Sequence, residues 1–189
     1  MRELGCDDYE HYYQLVTTGA GGAIEWATLS DRLTVQETRF FRDTDAMLFV
    51  KNHLLDLVKT NPKNQSIDIW SMGCSSGEEV YSLAMLAEEC LTPLGIKFSV
   101  TGTDLSTVVL RKARQGKYPI RKLETLPLSY RENYCNKIGN NEYQVMPFLR
   151  DRTCFTQVNA LNLDAFPVEG LSVIYCQNLL IYFRRWRRR

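Results

Sequence analysis

Between Ser66 and Gly116 the chain runs twice from a short apolar strand into a helix, and this alternation constrains the fold more than any other feature. The first pass is SIDIWSM, a GCSSG turn and EEVYSLAMLAEECL, with Ile67, Ile69 and Trp70 forming a short buried strand. Tyr81, Leu83, Ala84, Leu86 and Ala87 supply the packing face of the helix over Glu78 to Leu91. The second pass is KFSVTGTD, ending at Asp104, and a helix from Thr107 to Gln115 closed by Gly116. Strands alternating with helices of about a dozen residues predict a parallel sheet with helices on both faces, an α/β, Rossmann-like architecture. Phe155 to Val158 and Leu171 to Cys176 read as two further strands, making four. Four are few for a doubly wound domain, so a C-terminally incomplete sheet is expected.

The flanks obey different patterns. Cys6 to Val16 and Ile24 to Leu33 read as two short helices around TTGAGG, with Asp7 or Asp8 as N-cap; they resemble the end of a helical domain. Met47, Leu48, Val50, Leu54, Leu55 and Val58 recur at helical spacing and predict a third helix from Thr44 to Lys59. From Tyr134 to Phe155 an IGNN turn separates alternating segments, which predicts an antiparallel hairpin or small three-stranded sheet inserted into the frame. The expected organisation is therefore the C-terminal part of a helical domain over residues 1–33, a larger domain over 34–189, and a β-subdomain at about 134–155.

The GCSSG turn poses the functional question. It satisfies G-x-S-x-G on a strand-turn-helix, the signature of a hydrolase nucleophile, here Ser75. That fold orders its triad serine, acid, histidine, yet His11 and His53 both precede Ser75. A phosphate cradle is also disfavoured: no lysine opens the helix, and Glu78 and Glu79 in its first turn repel a pyrophosphate while suiting the helix dipole. The same carboxylates welcome a cation. S-adenosylmethionine (SAM) carries a sulfonium and an ammonium and no phosphate, and Asp104 ends the second strand where such sheets hydrogen-bond a ribose diol.

Charge and cysteines narrow the class. The +1 formal charge conceals an acidic body, because five arginines fall in the last six residues, a run read as a solvated end. The six cysteines show no C-x-x-C pair, which argues against zinc and a disulfide framework and for a reducing cytoplasm. No apolar run approaches the ~20 residues of a membrane span.

Four segments, TVQETRFFRD, IWSMGCSSGEEVYSLAM, GTDLSTVVLRKARQGKY and VIYCQNLLIYF, resemble in order and spacing the CheR-type chemoreceptor methyltransferases. The resemblance runs over nearly the whole chain. It implies a cytoplasmic protein-glutamate O-methyltransferase that carries a methyl group from SAM to glutamates on the cytoplasmic domain of a membrane chemoreceptor, leaving S-adenosylhomocysteine. It implies cofactor contacts at Gln36, Thr38, Arg42, Glu79, Asp104, Asn159, Ala160, Gln177 and Asn178, with Glu79 on the methionine part, Asp104 on the ribose and no metal. Gln36, Ala160 and Gln177 depart from the family's commonest residues, Asn, Leu and Arg. Arg42 and Tyr182 are the candidates for handling the substrate carboxylate. Family members that hook onto a receptor tail carry a longer, glycine-rich loop where this chain has IGNN, so no tether is expected. Nothing in the residues separates a flagellar from a pilus-linked pathway. Two rivals stay open: a Rossmann methyltransferase acting on nucleic acid, supported only by the terminal arginines, and a non-catalytic module that keeps SAM as a ligand.

Overall fold

The computed structural model describes residues 8–18, 21–33, 37–60, 66–163 and 170–183, and divides into two compact units, Met1–Val35 and Gln36–Arg189. In the first unit, α1 (Tyr9–Thr18) and α2 (Gly22–Leu33) pair through the Tyr12 hydroxyl, which donates to Glu25 Oε1 at 2.7 Å. Asp8 caps α1: its Oδ1 accepts from the His11 amide at 2.7 Å.

The second unit opens with α3 (Thr44–Thr60), capped by Asp43 Oδ1 on the Ala46 amide and burying Met47, Val50 and Leu54. There follow β1 (Ser66–Met72), α4 (Glu78–Leu91), β2 (Lys97–Asp104) and α5 (Thr107–Gln115). Next come β3 (Lys117–Pro119), α6 (Leu128–Tyr134), β4 (Cys135–Lys137), β5 (Glu142–Val145), α7 (Pro147–Arg150), β6 (Thr153–Gln157) and β7 (Val173–Tyr175). β1, β2, β6 and β7 form one parallel sheet in the order β6-β2-β1-β7. The steps from β1 to β2 and from β2 to β6 run in one direction, so right-handed crossovers put α4 and α5 on the same face.

That face carries the core. Ile67 and Ile69 of β1 and Phe98 and Val100 of β2 join Val80, Leu83, Ala84 and Ala87 of α4 in one buried cluster. Each large aliphatic side chain so buried contributes about 1.5–3 kcal/mol. α4 lies so close to β2 that a Cβ on Gly102 would stand 2.6 Å from Val80 Cγ2. Because α3 packs along it as well, α4 is buried around most of its circumference.

The antiparallel sheet, ordered β3-β5-β4, differs from the expected segment at both ends. Gly116, at φ 59°, turns the chain straight from α5 into β3, and its carbonyl accepts from the Val145 amide at 2.9 Å. The third strand therefore comes from upstream, at Lys117–Pro119, while Thr153–Gln157 leaves the hairpin to pair with β2.

Candidate functional site

The strand order reverses beside β1: β2 lies on one side, β7 on the other. In open α/β sheets ligands bind at such a switch point, beyond the carboxyl ends of the strands. The GCSSG turn stands there. Gly73 and Cys74 both donate their amides to the Thr103 carbonyl, at 2.8 and 2.9 Å, tying the turn to the end of β2. Gly73, Ser75 and Gly77 all take positive φ (76°, 49° and 92°), so the chain doubles back within five residues and starts α4. At Gly77 a Cβ would lie 2.8 Å from Ala113 Cβ, which only glycine avoids.

The two glutamates that follow have opposite environments. Glu78 is fully buried; its Oε2 accepts from the Ser76 hydroxyl at 2.7 Å, and Lys122 Nζ lies 3.0 Å from Oε1 as an ion pair. Oε1 gains charge contact from Lys122 but no aligned hydrogen bond, and we take the ion pair as the compensation for its burial. Lys122 also donates to the Thr38 carbonyl at 2.8 Å, so one ammonium joins the expected cofactor segment at Thr38 to the head of α4. Sequence reasoning missed Lys122.

Glu79 faces the switch point. Ser71, at the end of β1, donates to Glu79 Oε1 at 2.7 Å. Burial pushes its carboxyl up to about 7, with the Ser71 hydrogen bond and the Arg42 charge opposing the shift. Arg42 also donates to the Glu37 carbonyl at 2.9 Å. A carboxyl half-ionised near neutrality gains from an incoming cation, which would restore its charged form. Two more polar atoms there are buried and unpartnered: the Tyr175 hydroxyl and Gln177 Oε1. The Gln177 amide nitrogen donates to Asp43 Oδ2 at 2.9 Å, linking the segment after β7 to the segment before α3. Burial, with Glu79 and Asp43 adding negative charge, holds the Tyr175 phenol well above its ordinary value and keeps it un-ionised.

Asp104 is engaged with the turn. Its Oδ2 accepts from the Ser75 amide at 2.8 Å and its Oδ1 from the Ser106 amide at 3.0 Å. Each oxygen keeps further acceptor capacity for a diol. The Asp104 carbonyl accepts from the Val158 amide at 3.1 Å, so the loop bearing Asn159 and Ala160 leaves β6 beside it. Asn159 is exposed, and its Oδ1 accepts from the Leu161 amide at 3.0 Å. Asn178 is exposed at φ 59°. Gln36 lies outside the described residues, as does the side chain of Tyr182; the Tyr182 backbone ends a 3-10 turn over Leu180–Tyr182.

The structure thus brings Glu79, Arg42 and Gln177 to one place, Asp104 to the neighbouring turn, and Thr38 behind the head of α4. Ser71, Tyr175 and Lys122 are the additions. Ser71 was findable, as a hydroxyl at the carboxyl end of a buried strand. Neither His11 nor His53 belongs to the second unit's turn: His11 is on α1, and His53 stacks on Phe49 along α3. Ser75 therefore has no histidine base among the described residues of its own unit.

Comparison with known proteins gives a consistent set of relatives. The CheR methyltransferase SAM-binding domain profile matches residues 36–189. A chemotaxis protein methyltransferase of Borreliella burgdorferi is 31% identical over 189 residues, covering 97% of this chain and 66% of that protein. Chemotaxis protein methyltransferase 2 of Vibrio cholerae is 33% identical, covering 96% and 63%. Chemotaxis protein methyltransferase 1 of Pseudomonas aeruginosa is 33% identical, covering 97% and 68%. The chain spans about two thirds of the length of these curated relatives.

Proposed function

The chain belongs to the CheR methyltransferase family, and from that membership we propose that it is a SAM-dependent protein-glutamate O-methyltransferase acting on the cytoplasmic domain of a chemotaxis-type receptor. One observation carries the reading: a largely buried carboxyl, Glu79, held by Ser71 at the switch point with its ordinary acidity suppressed to about 7, near two acceptors that have no partner among the described residues. Such a socket suits the ammonium end of SAM. Asp104, on the adjacent turn, suits the ribose hydroxyls, and the Asn159-Ala160 loop beside it suits the adenine.

Bound SAM supplies an electrophilic methyl group on a sulfonium. The receptor glutamate needs no strong base, since a carboxylate with an ordinary value of about 4.3 is already ionised at neutral pH. The protein's task is alignment of carboxylate oxygen, methyl carbon and sulfur. Arg42 would hold the incoming carboxylate and Tyr182 would orient its attacking oxygen, with Thr38, Gln36, Gln177 and Asn178 completing the wall. The Lys122 bridge supports this assignment of Thr38, because it fixes that segment against α4.

Among the described residues no helix is long and apolar enough to cross a membrane. We place the protein in the cytoplasm, bound to its receptor without a tail tether, and expect no nucleic acid partner. The short IGNN turn between β4 and β5 is the basis for the absent tether. The test is incubation of the chain with methyl-labelled SAM and receptor cytoplasmic domains. Label that enters receptor and is released by mild base is the expected result; label in nucleic acid, or none in receptor while SAM binds, would overturn it.

A further inference from the structure

The parallel register pairs Ser71 of β1 with Tyr175 of β7. Paired residues on neighbouring strands, about 4.8 Å apart, send their side chains to the same face. On that face Ser71 holds Glu79, and Tyr175 joins the buried cluster under α4. Tyr175 is only 8% exposed, yet its hydroxyl has no hydrogen-bond partner among the described residues. A buried hydroxyl left unpaired is destabilising, so a ligand that pairs it recovers that loss on binding. Two residues on, Gln177 Oε1 is likewise buried and unpaired, while its amide nitrogen is committed to Asp43.

Three acceptors therefore lie about the end of β7: the Glu79 carboxylate, which faces Tyr175, the Tyr175 hydroxyl, and the Gln177 carbonyl, whose amide nitrogen is tied to Asp43. A primary ammonium has three donors. We propose that Tyr175, with Gln177 Oε1, is a recognition residue for the α-ammonium of the cofactor, sharing that group with Glu79. The assignment rests on the SAM reading above and extends it to a side chain outside the expected cofactor contacts. A carboxylate end of the ligand does not fit there, because Glu79 and Asp43 both face Tyr175 with negative charge.

The experiment is titration of S-adenosylhomocysteine, and of its analogue lacking the α-amino group, into the chain and into Tyr175→Phe. Loss of a hydrogen bond to a charged group weakens binding about tenfold or more. Tyr175→Phe is expected to lose that factor for S-adenosylhomocysteine and less than about twofold for the deaminated analogue. Its melting temperature is not expected to fall, since the hydroxyl has no protein partner to lose. Equal losses for the two ligands, or no loss for either, would overturn the role of Tyr175 while leaving cofactor binding intact. Failure of the unaltered chain to bind S-adenosylhomocysteine would overturn the SAM reading itself, and this proposal with it.

Discussion

The proposed contact of Glu79 with the cofactor's ammonium would make binding a proton-linked event whose size can be worked out. Its ordinary value near 4.5 is raised to about 7 in the ligand-free site, chiefly by burial. An ammonium at the site stabilises the ionised form, so binding below about pH 7 must expel a proton. If the bound carboxyl titrates below pH 5, affinity for S-adenosylhomocysteine rises roughly twentyfold from pH 5.5 to 7.5, about 2 kcal/mol at 1.36 kcal/mol per pH unit. Proton release falls over the same interval from close to one to about a quarter per ligand. Above about pH 8 affinity declines again as the ligand's own α-amino group loses its charge. The assay is calorimetry in two buffers of different ionisation enthalpy at each pH, which counts protons directly. Glu79→Gln removes the acid limb and leaves a weak profile that is flat up to about pH 8. The stability sign is opposite to that of an ordinary acidic group. A raised carboxyl favours the fold below about pH 4.5 and loses that contribution as pH climbs through 7. Ligand-free Glu79→Gln should therefore match the unaltered chain near pH 4 and exceed it by about 2 kcal/mol at pH 8, allowing for the carboxyl's residual solvent contact. An affinity that is the same at pH 5.5 and 7.5, with no proton released, would refute the argument.

Asp104→Ala leaves the Ser75 and Ser106 amides without their acceptor and should weaken S-adenosylhomocysteine by about 1–3 kcal/mol; an unchanged Kd by titration removes the ribose assignment. Gly77→Ala places a methyl 2.8 Å from Ala113 Cβ on a backbone at φ 92°, so chemical denaturation should show a loss above about 1 kcal/mol. Lys122→Met strands the buried Glu78 carboxylate and should cost about 2–4 kcal/mol, the lysine's partial exposure reducing the usual range. Adding Glu78→Gln to that variant should recover part of the loss in the same melts, and no recovery would show that Lys122 acts through packing.

The parts of the fold that were legible are those whose pattern is local. The bounds of α4, β2 and α5 follow from apolar periodicity and from Gly116 as a left-handed stop, and the four parallel strands follow from their alternation with helices. Glu79 and Asp104 were legible for a related reason: a turn and a strand end fix where their carboxyls stand, whatever the rest of the chain does. Long-range pairings were not legible. Nothing near Glu78 marks Lys122 as its partner, since the two meet only after α5 and β3 have carried the chain back past α4. The β4–β5 hairpin lies in the segment expected for it, but the third strand was not legible, because a three-residue strand such as Lys117–Pro119 is too short to show alternation.

Tyr175 illustrates the same limit at the site itself. In VIY, a three-residue strand, no periodicity says which side chain faces α4; only the pairing of Ser71 with Tyr175 decides it. Once that register is known, the departure at Gln177 acquires a physical meaning. An arginine there, as in the commoner family pattern, would put a cation beside Asp43 and Glu79. Glutamine keeps one hydrogen bond to Asp43 and adds a neutral acceptor, leaving Arg42 as the cation that opposes the rise of Glu79. The site is thereby shifted toward negative charge, and in the proposed binding mode recognition of a cationic ligand end would fall more heavily on Glu79 and its neutral neighbours. The exchange of arginine for glutamine thus removes a cation and adds one of the two unpaired oxygens, the other being the Tyr175 hydroxyl, and it would favour a cationic ligand end over an anionic one.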